Sequence, residues 1–462
     1  MAGIGFKLRK IANNEGLTGA SGAYAYSLFL VAGPWVFTVF ALLGITFATR
    51  STTAWNDIQM FRSIIIYNFC LTLILTGPVV LLLTRYLADQ IYKRDTQYVP
   101  MALLASLVAV AVLTLGVAAP FYAFFADLSS ANLILATTNF GLASAIWIAT
   151  PFLSILKDFK SVSISFLVGC ISATLLAVIL AGSLNDVLIL LIFNCALAVT
   201  LAILVSRVAR EYSGEIVFDK TWKDFLFQRW EIAGFGLFYY LGIWIDKIIM
   251  WRSDLQGSLT VGGSLATMPI YDAAMFIAQL GAIPAFVYFF VHVETGFFER
   301  FKALSDGAQK DSSLRAIEAN AARVSTFVFE QLIKILIAML LATSIIIVGL
   351  PALYNVIALS EIQLGIFRMG LLGVVWHTMF LFCVTFLLYF DLRFPALVLS
   401  AFYFVLNGAL TLFFLPQGLE YFGLGYMLAG AIAFLVAAAW LMRELPWLTY
   451  HTFVTNSGMK KS

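Results

Sequence analysis

The chain has 462 residues, of which 62% are hydrophobic, 15% aromatic and only 11% charged, with a mean hydropathy of +0.95. A soluble domain carries about a quarter charged residues, and a water-facing surface needs that polar cover, so a water-soluble enzyme is excluded. The formal net charge of +3 is too small to point to a nucleic-acid partner.

At about 20 apolar residues per membrane-crossing helix, the length allows about twelve spans. The chain opens with Lys7, Arg9 and Lys10, then a polar stretch from Asn13 to Thr18, before a long apolar segment. That segment is too long for the short apolar core of a cleaved signal, so it reads as a retained span. Apolar runs fall at about 19–49, 62–86, 100–125, 130–155, 161–183 and 185–208 in the first half. In the second half they fall at about 231–252, 268–293, 325–350, 361–390, 394–415 and 420–443. The polar stretch from Arg207 to Arg229 separates the halves. The expected division is a six-span region at 1–209, a cytoplasmic linker with a short amphipathic segment at 210–230, and a second six-span region at 231–462. The last of these includes a cytoplasmic segment at 295–324, in which Phe297, Phe298, Phe301 and Leu304 follow helical spacing. Gly307 reads as a turn there, and Leu314 and Ile317 as a resumed helix, giving a short interfacial helix on each side.

Lys and Arg set the orientation. With the N-terminus inside, 22 of them fall on inner segments and five on the outer side, namely Arg50, Arg62, Lys247, Arg252 and Arg368. Both termini are therefore expected in the cytoplasm. The halves also echo one another: Gly77-Pro78 lies deep in the second span, and Gly281 with Pro284 at a similar depth in the eighth. Gly33-Pro34 interrupts the first span, while Gly234, Gly236 and Gly242 loosen the seventh. Interrupted helices at matching positions of two halves suggest a transporter built from repeats. Cys70, Cys170, Cys195 and Cys383 all lie in apolar runs without a CxxC pair, and read as small buried apolar side chains.

Ionisable groups inside a bilayer are costly and mark sites or pathways. The first half has almost none. The second has Asp246 and Lys247 in the seventh span, Asp272 in the eighth, Glu330 and Lys334 in the ninth, and Arg368 in the tenth. Adjacent residues on a helix point about 100° apart, so Asp246 and Lys247 are not expected simply to neutralise each other. Asp272 and Arg368 stand as candidate partners across helices. The functional reading is a polar, water-filled cavity; the structural one is interhelical pairing or snorkelling to an interface. Glu330 and Lys334, four apart with Glu first, read as a structural ion pair. His377, mid-span, reads as a hydrogen-bonded packing residue rather than a proton relay.

Phe235, Phe238, Tyr239, Tyr240 and Trp244 crowd the seventh span, and such rings suit either sugars or helix packing. Asn68, Asn139 and Asn194 offer neutral hydrogen-bonding groups to a cavity in the first half. There is no GxxxxGK[ST] loop and no HExxH pair, and no loop is long enough for a catalytic domain. Catalysis is therefore not expected, and no cofactor is implied.

Several segments resemble one family. Met1–Arg9, Ala32–Val36, Tyr239–Lys247, Pro269–Asp272 and the Glu294-Thr295 close of the eighth span are similar to the Pel exopolysaccharide transporters. These belong to the multidrug/oligosaccharidyl-lipid/polysaccharide exporter (MOP) superfamily. The resemblance implies an all-α, polytopic integral membrane protein, with twelve transmembrane helices in two six-helix bundles around a central cavity that works by alternating access. It further implies a bacterial inner-membrane synthase complex and an N-acetylgalactosamine-rich polymer as cargo. The implied partners are a cytosolic glycosyltransferase, a membrane receptor for cyclic di-GMP and a tetratricopeptide-repeat membrane protein. Asp246, Lys247, Asp272, Arg368, Tyr239, Tyr240, Trp244 and Asn68 would then line or organise the path. The basic inner residues Lys220, Lys223, Arg229, Arg300 and Lys302 would form a docking platform, although positive-inside orientation accounts for them without a partner. Competing expectations are an ion-coupled small-molecule antiporter, a lipid-linked oligosaccharide flippase and a non-conducting membrane scaffold for the synthase.

Overall fold

The computed structural model describes residues 26–30, 33–49, 53–155, 158–212, 222–253, 257–309, 313–357 and 359–450. Among these, eleven helices are long and apolar enough to cross a membrane, and a twelfth apolar helix is shorter. The shorter one is α1, Gly33–Thr49. Residues 26–30 before it are also helical, and the expected start of this span near residue 19 lies outside the described residues. The others are α2 Trp55–Lys93, α3 Val99–Phe125, α4 Ser130–Ile155, α5 Phe159–Ile179, α6 Asp186–Glu211 and α7 Trp230–Trp251. They continue with α8 Pro269–Val293, α9 Leu314–Ile357, α10 Glu361–Tyr389, α11 Arg393–Phe414 and α12 Leu424–Glu444. Large apolar side chains remain exposed on many of these helices, Phe47 at 80% and Val348 at 79% among them. A lipid-facing surface takes such residues.

Local chemistry sets the helix ends. Asp158 caps α5 by accepting from the Ser161 N–H, and Asn185 caps α6 by accepting from Leu188. Ser360 and Gln363 close a reciprocal capping box on α10. The break foreseen at Gly281 and Pro284 appears as a tight 3-10 turn at Leu280–Ala282 within α8. Pro78, by contrast, leaves α2 as one helix of 39 residues. Gly307 is not a turn: the helix Glu294–Gln309 runs through it. A single helical glycine costs only about 1 kcal/mol relative to Ala, too little to end a helix that packs well. The segments flanking it are consequently extensions of α8 and α9 rather than separate short helices.

The chain forms two compact units. Of the described residues, the first holds those within Phe29–Trp244 and Trp251–Met268; the second holds Ile245–Met250, those from Pro269 to Tyr450, and Tyr26–Leu28. Within the first unit, α2, α4 and α6 pack together around a buried amide network. Asn68 donates to Ala136 O at 3.0 Å and to Asn139 Oδ1 at 2.9 Å, and accepts from the Tyr122 hydroxyl at 2.8 Å. Asn139 in turn donates to Asn194 at 2.7 Å, and Asn194 to Leu135 O at 2.8 Å. Glycines on α2 and α7 permit a close approach of the two helices. A β-carbon at Gly236 would stand 3.0 Å from the Gly77 carbonyl oxygen, and one at Gly77 would collide with the Tyr240 ring.

The first unit also carries a small antiparallel hairpin, β1 Leu259–Val261 and β2 Leu265–Thr267, which hydropathy alone did not foreshadow. Gly262 and Gly263 turn it with φ of +53° and +71°. It docks through the Tyr67 hydroxyl, which donates to Ala266 O at 2.8 Å, and through Asp127 N–H to Gly262 O at 2.8 Å. In the second unit, α10 packs against α12 and α8. Phe289 of α8 stacks on Phe382 of α10 with centroids 4.6 Å apart. The cysteines depart from the uniform burial expected: Cys70 and Cys383 are buried, Cys170 is intermediate and Cys195 is exposed. An apolar thiol needs no burial on a surface that faces lipid.

Two outcomes follow. Gly77→Ala should lower the melting temperature in detergent, by the equivalent of about 1–3 kcal/mol of overpacking, and Tyr240→Ala in the same chain should restore part of it. The Asp158 carboxyl concerns the α4–α5 connection. Burial raises its pKa, but the two Ser161 hydrogen bonds and Arg207 outweigh this and bring it below its ordinary value of 3.8. A lowered folded pKa gives stability that is fully present above 3.8 and is lost as pH falls through the folded value. The advantage of the native chain over Asp158→Asn in thermal unfolding should therefore hold from neutral pH to about pH 4 and shrink below that.

Candidate functional site

The second unit gathers polar side chains from five helices around the end of α7. Asp246 is 0% exposed and Lys247 6%. The Lys247 ammonium donates to both Asp246 oxygens, at 3.1 and 3.2 Å. The Tyr271 hydroxyl of α8 donates to Asp246 Oδ2 at 2.6 Å, and Asn407 of α11 reaches Oδ1 at 3.5 Å. The ammonium also stands 5.6 Å from the centroid of the Tyr426 ring on α12. Tyr426 extends the cluster, its hydroxyl lying 3.1 Å from His377 Nδ1 on α10, and His377 stacks on Tyr403 of α11 at 5.1 Å.

Asp246 and Lys247 thus neutralise each other, contrary to the expectation from their adjacency. Their Cβ vectors do diverge, but the four-carbon lysine stem is flexible enough to fold its head back onto the carboxylate. Arg368 is exposed on α10 and supplies no charge to this cluster. Asp272 is half-buried in the first turn of α8, one residue beyond Tyr271, where the helix N-terminus favours an acid. His377 takes the hydrogen-bonded packing position.

The other sites fall elsewhere. Tyr239, Tyr240 and Trp244 are half-buried in the first unit, where Tyr239 stacks on Phe235 with centroids 5.6 Å apart. Asn68 is 0% exposed with both amide hydrogens and its oxygen engaged. It is a structural tie rather than a cavity group, because within hydrocarbon a carboxamide must take its partners from neighbouring helices. Glu330 and Lys334 pair at 3.6 Å and are both exposed. Arg229 pairs with Asp89 at 3.0 Å and lies over the Phe225 ring. Arg300 is exposed, donates to Gly296 O and stands 4.2 Å over Phe327; Lys302 is exposed on the same helix. Lys220 lies outside the described residues, as does the side chain of Lys223, whose backbone is in the helix Trp222–Gln228.

Tyr271, Asn407, Tyr403 and Tyr426 were not foreseen. A carboxamide at Asn407 in an otherwise apolar span, and a tyrosine directly before Asp272, were the available signals. The arrangement holds charge without exposing it. Among the described residues no three His, Cys, Asp or Glu side chains are grouped to hold a metal.

Comparison with known proteins decides the family. The model of PelG, described as "Putative exopolysaccharide Exporter (EPS-E)", matches residues 1–453. The chain belongs to the PelG family. No curated protein gives a significant sequence match. Among solved structures, a MOP superfamily transporter from Pyrococcus furiosus Vc1 (DSM3638) superposes with a TM-score of 0.66 at 12% identity, covering 92% of this chain and 96% of that one. A multidrug resistance MATE family transporter in its outward-facing conformation gives 0.65 at 12% identity, over 97% and 100%. MATE in complex with MaL6 gives 0.67 at 13%, over 93% and 97%. At such identities the likeness is one of fold, and the fold of this PelG family chain is that of twelve-helix, two-bundle MOP transporters. Family and fold are those of a polytopic membrane transporter.

Breaking the buried pair from one side leaves a lone charge, at about 3–5 kcal/mol. Asp246→Asn and Lys247→Met should each reduce membrane yield and melting temperature, while the double variant should recover most of both. Additive losses in thermal unfolding would show that the two side chains do not act as a pair.

Proposed function

We propose that the chain passes a nascent exopolysaccharide from a cytosolic synthase across the bacterial inner membrane to the periplasm. The cargo on this reading is the N-acetylgalactosamine-rich Pel polymer, destined for a biofilm matrix. The observation that carries the proposal is the family match over residues 1–453, joined to a transporter fold.

The positive-inside distribution supports an orientation with both termini in the cytoplasm. Exposed Arg300 and Lys302 would then stand on the cytoplasmic side, available to the glycosyltransferase. The cyclic di-GMP receptor membrane protein and the tetratricopeptide-repeat membrane protein complete the proposed assembly. Half-buried Tyr239, Tyr240 and Trp244 are the aromatic groups proposed for the path. The carboxylate of Asp246 is already bound by Lys247, Tyr271 and Asn407. That supports a role in holding helices while neutral groups meet the cargo, in preference to a coupling site.

Proteoliposomes holding the chain and its synthase, supplied with nucleotide sugar on the synthase face, test the reading. Polymer should accumulate across the bilayer only when both proteins are present. Polymer crossing with the synthase alone, or remaining entirely on the synthase face with both present, would overturn it.

A further inference from the structure

Four polar atoms on α4 of the first unit are buried with no hydrogen-bond partner among the described residues: Asn132 Oδ1 in its first turn and, further along, a group of three, the hydroxyls of Thr137 and Ser144 and the indole N–H of Trp147. Helical serines and threonines elsewhere in the chain turn the hydroxyl back to a carbonyl one turn earlier. Thr76 does so to Thr72 at 2.7 Å, and on α4 itself Thr138 does so to Ile134 and Thr150 to Ile146, each at 2.8 Å. Ser144 forgoes this bond although it is 0% exposed. That backbone bond requires no more than a rotation about χ1, so a buried hydroxyl that does not make it is unusual.

The three residues share one side of the helix. Thr137 lies two turns before Ser144, and Trp147 lies three residues after it. Facing Trp147 from α2 is Phe69, edge to face, with ring centroids 6.5 Å apart. Both rings are half-buried. No Asp, Glu, Lys or Arg occurs anywhere in Ser130–Ile155. The face thus combines one N–H donor, two hydroxyls able to donate or accept, and two flat apolar rings, with no charge on the helix that carries it.

That combination matches one chemistry. A pyranose ring presents apolar C–H faces to aromatic rings and hydroxyl or acetamide oxygens to N–H and O–H donors. We propose that Ser144 and Trp147 of α4, with Phe69 of α2, form a contact for an uncharged, hydroxylated sugar chain in transit. The proposal rests on the polysaccharide-export reading above. Single neutral hydrogen bonds suit passage, because a polymer must be held strongly enough to enter and weakly enough to leave.

Trp147→Phe removes the N–H and keeps an aromatic ring, and Ser144→Ala removes only the hydroxyl. Each deletes an unmade bond, so Ser144→Ala should not lower the melting temperature, whereas Trp147→Phe also trims ring volume beside Phe69 and should lower it slightly. Export per inserted molecule, in the proteoliposomes described above, should fall about two- to tenfold in each, the worth of one neutral hydrogen bond. In detergent, an N-acetylhexosamine tetramer should raise the melting temperature of the unsubstituted chain and not that of Trp147→Phe. Export at the unsubstituted rate in both variants, or a loss in Ser144→Ala that tracks a lowered melting temperature, would overturn the proposal. The unsubstituted chain serves as the control: its failure to export refutes the export reading itself, whereas its success beside fully active variants refutes only the sugar contact.

Discussion

Hydrocarbon offers no hydrogen-bond partner, so each polar group that this chain carries into a bilayer must be satisfied by the protein itself. The rule is visible at many of the polar side chains that the helices hold. Thr76, Thr114, Thr150 and Ser154 return their hydroxyls to carbonyls of their own helix. Asn68, Asn139 and Asn194 cannot do so with all their groups, and instead bond one another across α2, α4 and α6. What would be a liability for any one helix becomes a cross-link between three. The network also fixes relative rotation, since a helix turned by one residue would leave several amide groups unmet.

The same constraint acts more strongly on charge. Asp246 and Lys247 lie on one short stretch of α7, and the cost of burying either alone would be prohibitive. Neutralised by each other, they still leave lone pairs, and these are taken by Tyr271 from α8 and Asn407 from α11. The ion pair is thereby converted into an anchor for the end of α7 within the second unit. Where no polar group is present, close packing takes over: the Gly77–Gly236 approach brings α2 and α7 near enough for backbone to meet backbone. Amide network, ion pair and glycine crossing are three answers to one requirement, each chosen by the side chains locally available.

Features that depend on composition over a whole span were legible in the sequence. The helix count follows from apolar length, and the Glu330–Lys334 pair from its four-residue spacing. The Leu280–Ala282 turn follows from glycine and proline placed close together. Features that depend on a single side chain's reach or on a distant partner were not. The bend of Lys247 onto Asp246 is a rotamer choice that no spacing rule encodes. Asn68 was visible as a polar residue, but its partners Ala136 and Asn139 lie 68 and 71 residues away. Gly307 misled because helix continuity is decided by packing rather than by propensity. The hairpin at β1 and β2 is three residues per strand, too short for alternation to stand out.

These considerations bear on how such a chain could treat a neutral polymer. Charges that are already paired present no fixed field to cargo, and a neutral sugar chain gains little from one. What it can gain comes from rings and uncharged donors, each weak, spread along its length. Satisfied side chains such as Asn68 cannot contribute without breaking bonds that hold the bundle. Ser144 and Trp147 can, because their donors are uncommitted within the first unit. The distinction between polar groups that bind the protein together and those left over separates scaffold from path, and it follows from hydrogen-bond accounting applied residue by residue.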